Sequence, residues 1–104
     1  MKLYEFRCGS KKIYGVESAP GNVTLRADCN VFPEAVIKIE VTTAQADALE
    51  NRPRPAVQVI APNMPREVRE IFITGTTPAE YDELLGTVKG REEYAKLGYD
   101  FEES

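Results

Sequence analysis

The chain has 104 residues, of which 42% are hydrophobic and 29% charged, and its formal net charge at pH 7 is −4. That length and composition indicate one folded, soluble domain with a hydrophobic core of its own. The chain contains no histidine and only two cysteines, Cys8 and Cys29. This excludes catalytic sites built around an imidazole and zinc sites built from four Cys or His ligands.

Hydropathy and the N-terminal segment point to the cytoplasm. No apolar run approaches the length of a membrane span, about 18 residues. Residues 1–6 lack the basic-then-apolar layout of a signal peptide. We therefore expect a cytoplasmic protein that binds no membrane and keeps both thiols reduced.

Alternation of apolar and polar residues predicts β-strands in the first half of the chain. The expected strands cover residues 2–8, 13–17, 23–27, 36–41 and 56–61, the last of them buried. Gly9 and the residues after it supply turn chemistry, so we expect the first two strands to form a hairpin. Pro20 and Gly21 mark the next turn.

A capping box predicts a short helix between the last two of these strands. Thr42 precedes Gln45 by three residues, and the alanines and Leu49 that follow favour the helical state. Residues 51–55 contain two prolines and end this helix, because a residue that precedes proline avoids helical angles. We expect residues 51–55 to form a stiff, basic, exposed loop.

Two further helices are predicted from the spacing of apolar residues. Residues 66–74 place their apolar side chains three and four residues apart, and Gly75 is positioned to end the helix. Residues 91–97 predict a shorter helical segment that packs Tyr94 and Leu97 and ends at the following glycine.

The helix between these two carries the strongest local signals. Thr77 and Glu80 have the spacing of a capping box, and Pro78 occupies the first helical position. Gly86 ends the helix. The apolar stripe of this helix consists of Tyr81, Leu84 and Leu85.

These elements predict a single α+β domain over residues 1–104. We expect a mainly antiparallel sheet of about five strands in the N-terminal 60 residues, with two to three short helices, mostly C-terminal, packed on it. Residues 99–104 remain as an acidic and aromatic tail. A sheet of short strands leaves an edge that a second subunit commonly covers, so a homodimer is a further expectation.

Charge is unevenly distributed along the chain. Residues 1–54 carry eight Lys or Arg against seven Asp or Glu, whereas residues 55–104 carry five against ten. This acidic half argues against direct nucleic-acid binding, which depends on cationic side chains. A partner could instead bind the acidic helix and tail, for which the candidate residues are Glu80, Asp82, Glu83, Tyr99, Asp100, Phe101 and Glu102. Helix capping, solubility and docking of the tail on its own domain are the competing interpretations of these residues. In the capping interpretation, Asp82 and Glu83 lie in the first turns of the helix and face solvent.

Four arginines offer a different candidate site. Arg52, Arg54, Arg66 and Arg69 lie near the basic loop and the first turns of the helix at 66–74. If the fold brings these side chains together, their forked donors suit a phosphorylated ligand or an acidic protein surface. The competing interpretation is a solvated face in which the arginines pair with nearby carboxylates.

The sequence thus favours a small non-enzymatic interaction protein, such as a regulator, inhibitor or accessory subunit of the kind encoded by phages and mobile elements. We expect a protein partner, and no catalytic residue, cofactor or metal. The alternative is sequestration of an anionic small molecule such as a nucleotide by the arginines, between two protomers, although the common phosphate-binding glycine motifs are absent. Catalysis by carboxylates or a cysteine is a third reading.

Overall fold

The structure is a computed structural model and describes residues 2–9 and 11–101. Within that part of the chain, one antiparallel sheet of five strands, in the order β1–β2–β3–β4–β5, packs through one face against five short helices. The strands are β1 Leu3–Cys8, β2 Lys11–Ala19, β3 Asn22–Asp28, β4 Ala35–Thr42 and β5 Tyr99–Phe101. The helices are α1 Thr43–Glu50, α2 Val57–Ile60, α3 Arg66–Thr74, α4 Pro78–Leu85 and α5 Arg91–Ala95. The α+β class expected from the sequence is confirmed.

The core lies between the helices and the sheet face formed by the apolar half of each alternating strand. In β1, for example, Tyr4, Phe6 and Cys8 are buried and the residues between them are exposed. The opposite face of the sheet is polar and contains cross-strand pairs of opposite charge. Lys12 lies 2.9 Å from Glu5, and Lys38 lies 2.7 Å from Asp100.

The predicted strand at residues 56–61 is wrong. This segment contains helix α2, in which the carbonyl of Ala56 accepts hydrogen bonds from the N–H groups of Val59 and Ile60. Prolines flank the segment on both sides and cannot donate to a sheet ladder. A six-residue apolar run has no periodicity that separates a strand from a buried helical turn, which explains the error.

The fifth strand comes from the predicted tail. Residues 99–101 form β5, which pairs with β4 so that Tyr99 lies opposite Ile37 and Phe101 lies opposite Ala35. The sheet therefore draws four strands from the first 60 residues and one from the C-terminal segment. The described part of the chain also contains five helices, where the sequence predicts two to three packed on the sheet.

The helix caps appear where the sequence predicts them. Thr42 and Gln45 form both hydrogen bonds of a capping box before α1, and Thr77 and Glu80 form the corresponding pair before α4. Gly75 ends α3 in the left-handed conformation. Each helix in the described part of the chain is too short or too polar to span a bilayer.

Candidate functional site

The inner side of α4 is held to the sheet by small side chains and polar contacts. Ala79 is fully buried, and its N–H donates to the hydroxyl of Tyr99 at 3.1 Å. Burial raises the pKa of Tyr99, so this phenol remains neutral as it accepts that hydrogen bond. One turn later, the carboxylate of Asp82 accepts a 2.7 Å hydrogen bond from the hydroxyl of Tyr94.

An ion pair between Lys11 and Glu80 anchors the first turn of α4 to the sheet. The Lys11 Nζ lies 2.7 Å from the Glu80 Oε2, and the two side chains are only 9% and 13% exposed. Lys11 also donates to the carbonyl of Asp28, and the Glu80 carboxylate accepts from the N–H groups of Asn30 and Thr77. Each charged group therefore has two or more polar partners, which offset the cost of its burial.

These contacts determine the titration of Glu80. Burial by itself raises the pKa of this carboxyl, but the hydrogen bonds from Lys11, Thr77 and Asn30 outweigh burial and hold the pKa below its ordinary value of 4.5. The unfolded chain therefore binds this proton more tightly than the folded chain. The stability that the carboxylate contributes is complete above pH 4.5 and is lost as the pH falls through the lowered pKa.

We expect this loss to be visible in the variant Glu80→Gln. The difference in free energy of unfolding between wild type and variant should stay constant above about pH 5 and shrink as the pH falls from there to about pH 3. Urea denaturation across this range measures the difference. The other titrating carboxylates are common to both proteins and cancel. A difference that stays constant with pH would contradict the lowered pKa.

The outer side of α4 exposes large apolar side chains. Tyr81 is 51% exposed, Leu84 80%, Leu85 59% and Val88, just beyond the helix, 45%. The sequence predicts three of these residues as the apolar stripe of α4, but the stripe points away from the core, whose contacts with this helix are made by Pro78 and Ala79. We call these four exposed residues the α4 ridge.

A groove lies on each side of the α4 ridge. The α3 groove, of about 420 Å³, lies between α3 and α4 and is lined by Glu67, Glu70 and Tyr81 among others. The sheet groove, of about 470 Å³, lies between α4 and the sheet and is lined by Glu83 and Leu84 among others. The ridge with its two grooves combines exposed apolar groups with charged ones, and it is our candidate functional site.

Of the three predicted acidic residues of α4, only Glu83 is fully available to a partner. Glu80 is used in the buried ion pair, and the carboxylate of Asp82 is 15% exposed and bonded to Tyr94. The sequence predicts that Asp82 faces solvent, and that expectation is wrong because Tyr94 reaches it from α5.

The predicted tail residues belong to the sheet and to an aromatic cluster. Tyr99 is buried, Phe101 packs edge-on against Phe32, and Asp100 pairs with Lys38. The guanidinium of Arg91 lies 5.1 Å from the centre of the Phe101 ring. These contacts hold the segment against its own domain. Glu102 lies outside the described residues.

The loop arginines bind backbone carbonyls. Arg52 donates to the carbonyls of Leu49 and Arg7, and Arg54 donates to those of Leu49 and Phe72. These bonds tie the end of α1 to β1 and α3, so the basic loop at residues 51–55 is anchored.

The other two predicted arginines lie on α3. Arg66 is exposed and lines the α3 groove. Arg69 is half-buried and its Nε has no hydrogen-bond partner. Arg52 and Arg54 thus share the carbonyl of Leu49, and Arg66 lines the α3 groove.

The two cysteines are buried and free. Among residues 2–9 and 11–101, no group of three or more Cys, Asp or Glu side chains is arranged to hold a metal ion. Comparison with known proteins finds no match to this chain among family models, curated proteins or solved structures. The function is therefore argued from the geometry of the site.

Proposed function

We propose that this protein is a non-enzymatic interaction protein, a regulator, inhibitor or accessory subunit, that binds a protein partner through the α4 ridge. The observation that supports this most is the exposure of Tyr81, Leu84, Leu85 and Val88 within one short segment, the first three at helical spacing on α4. Clustered apolar groups of this kind on a folded domain are typical of protein interaction sites, whereas single exposed apolar residues are ordinary.

The helix that carries most of the ridge is held at both ends and along its inner side, which favours tight binding. α4 has a complete capping box at its start and a left-handed glycine at its end. The Lys11–Glu80 pair and the bond from Tyr94 to Asp82 fix its inner side. A partner therefore loses little binding free energy to ordering of this surface.

The alternative functions receive less support. An anionic ligand at Arg52 or Arg54 would have to displace the backbone carbonyls that these side chains bind. Catalysis by Glu80 would require it to leave a buried ion pair. An interaction surface, in contrast, needs only side chains that are already exposed.

The variant Leu84→Asp tests this proposal. A charge at the most exposed position of the ridge should weaken binding of the natural partner by about tenfold or more, because it places a carboxylate in a desolvated contact. Tagged wild type and variant are used to capture partners from lysate of the source cell, and the captured proteins are quantified by mass spectrometry.

Val59→Asp is the matched control. Val59 is 70% exposed on α2, outside the residues that line the two grooves, so the same change of chemistry should leave capture intact. Thermal unfolding of both variants verifies that each is folded. Equal capture by wild type and Leu84→Asp would refute the ridge as the binding surface.

A further inference from the structure

The rim of the α4 ridge carries carboxylates without an ion-pair partner. These carboxylates belong to Glu67 and Glu70 in the α3 groove and to Glu83 in the sheet groove. No cationic group of the described residues lies within 4 Å of any of them. By contrast, Glu80 and Asp82 have internal partners. Three unpaired negative charges therefore border an exposed apolar surface.

Each groove is also negatively charged when all of its charged lining residues are counted. The α3 groove contains the carboxylates of Glu67, Glu70 and Asp82 against the cations of Arg66 and Lys89. The sheet groove contains those of Asp28, Glu80 and Glu83 against Lys11 and Lys12. Lys11 is neutralised by Glu80, and Lys12 pairs with Glu5 outside the groove. Each groove thus presents an excess of negative charge to an incoming partner.

This charge argues against two other occupants of the ridge. In a symmetric dimer through α4, the acidic rim of one copy would face the identical rim of the other, and like charges across an interface oppose association. The cytoplasmic surface of membranes is itself anionic and would repel the same carboxylates. A cationic partner has neither difficulty.

Resting on the proposed function, we infer that the occupant of the ridge is an amphipathic helix of the partner protein, with apolar residues on one face and Lys or Arg beside them. Tyr81, Leu84 and Leu85 are spaced i, i+3 and i+4, the pattern by which one helix contacts another. The eight residues of α4 span about 12 Å, which matches two turns of a partner helix. The partner's cations then lie over Glu67 and Glu70 on one flank and Glu83 on the other.

Two synthetic peptides test this inference. Both carry leucines at helical spacing, and the remaining positions are lysine in one and glutamate in the other. Fluorescence anisotropy with the wild-type protein should show that the lysine peptide binds at least about tenfold more tightly, and that added salt weakens it. Leu84→Asp should remove this binding, and Val59→Asp should not.

Charge reversal at the rim provides the sharper measurement. Glu70→Lys with Glu83→Lys should abolish or invert the preference for the lysine peptide. The control combines Glu17→Lys with Glu92→Lys, which changes the net charge equally at residues that line neither groove. If both pairs of substitutions weaken binding of the lysine peptide to the same extent, this binding reflects net charge alone and the inference is overturned.

The remaining outcomes separate this inference from the proposed function. In one outcome, Leu84→Asp no longer captures a partner, but wild type binds neither peptide or prefers the glutamate peptide. The ridge then binds a partner of different chemistry, and only the inference fails. If analytical ultracentrifugation shows a dimer that Leu84→Asp converts to a monomer, the occupant is a second copy and the inference fails as well.

Discussion

Replacement of Lys11 by methionine is expected to lower the free energy of unfolding by about 3 kcal/mol at pH 7. The substitution retains most of the apolar stem but leaves the Glu80 carboxylate, 13% exposed, without its ammonium partner. It also removes the donor that satisfies the carbonyl of Asp28. A buried charge that loses its partner keeps the cost of desolvation without the compensating attraction, so the effect is large.

The neighbouring residue supplies the control. Lys12 pairs with Glu5 at 2.9 Å, close to the distance in the buried pair, but the two side chains are 52% and 67% exposed. Lys12→Met should therefore cost less than about 1 kcal/mol. The double variant Lys11→Met with Glu80→Gln should recover part of the loss, because it removes both charges. Equal effects of the two single lysine variants in urea denaturation would contradict the role assigned to burial.

Elements with local signals were predictable from the sequence. Strands β1 to β4 follow from alternation over four or more residues, and the starts of α1 and α4 follow from hydrogen bonds between residues three positions apart. Gly75 marks the end of α3 for a similarly local reason. In each case the physical cause lies within about one turn of the residue that reveals it.

Elements that depend on distant partners were not predictable. β5 has three residues, and it is a strand because β4, some 60 positions earlier, offers an unpaired edge. Lys11 is likewise an ordinary polar residue in its own segment, and its partner Glu80 lies 69 positions away. Neither contact has a signal in the local sequence from which it could be predicted.

The exposure of the α4 stripe was also not predictable from the sequence. Periodicity correctly groups Tyr81, Leu84 and Leu85 on one face of α4, but it does not reveal whether core remains for them to fill. Here the buried side of α4 is already occupied by Pro78 and Ala79. The apolar face of α4 is consequently exposed. A stripe that the sequence predicts to be buried is therefore the candidate binding surface.

Alanine at Gly75 should be more damaging than alanine at Gly86, although both glycines end a helix in the left-handed region, with φ of 81° and 70°. At either position alanine incurs a conformational cost of about 1 kcal/mol. At Gly75 the new Cβ would also clash with the backbone carbonyl oxygen of Cys8, whereas at Gly86 it meets nothing within 4 Å.

The Gly75 variant should therefore lose about 3 kcal/mol of unfolding free energy, since overpacking against the rigid backbone adds to the conformational cost. Gly86→Ala should lose only about 1 kcal/mol. Thermal and urea denaturation of the two variants measure both losses, and equal losses would refute the close approach of α3 to β1. Gly75 precedes α4 by only a few residues. Gly75→Ala should therefore also displace the ridge and weaken binding of the same partner whose capture Leu84→Asp reduces.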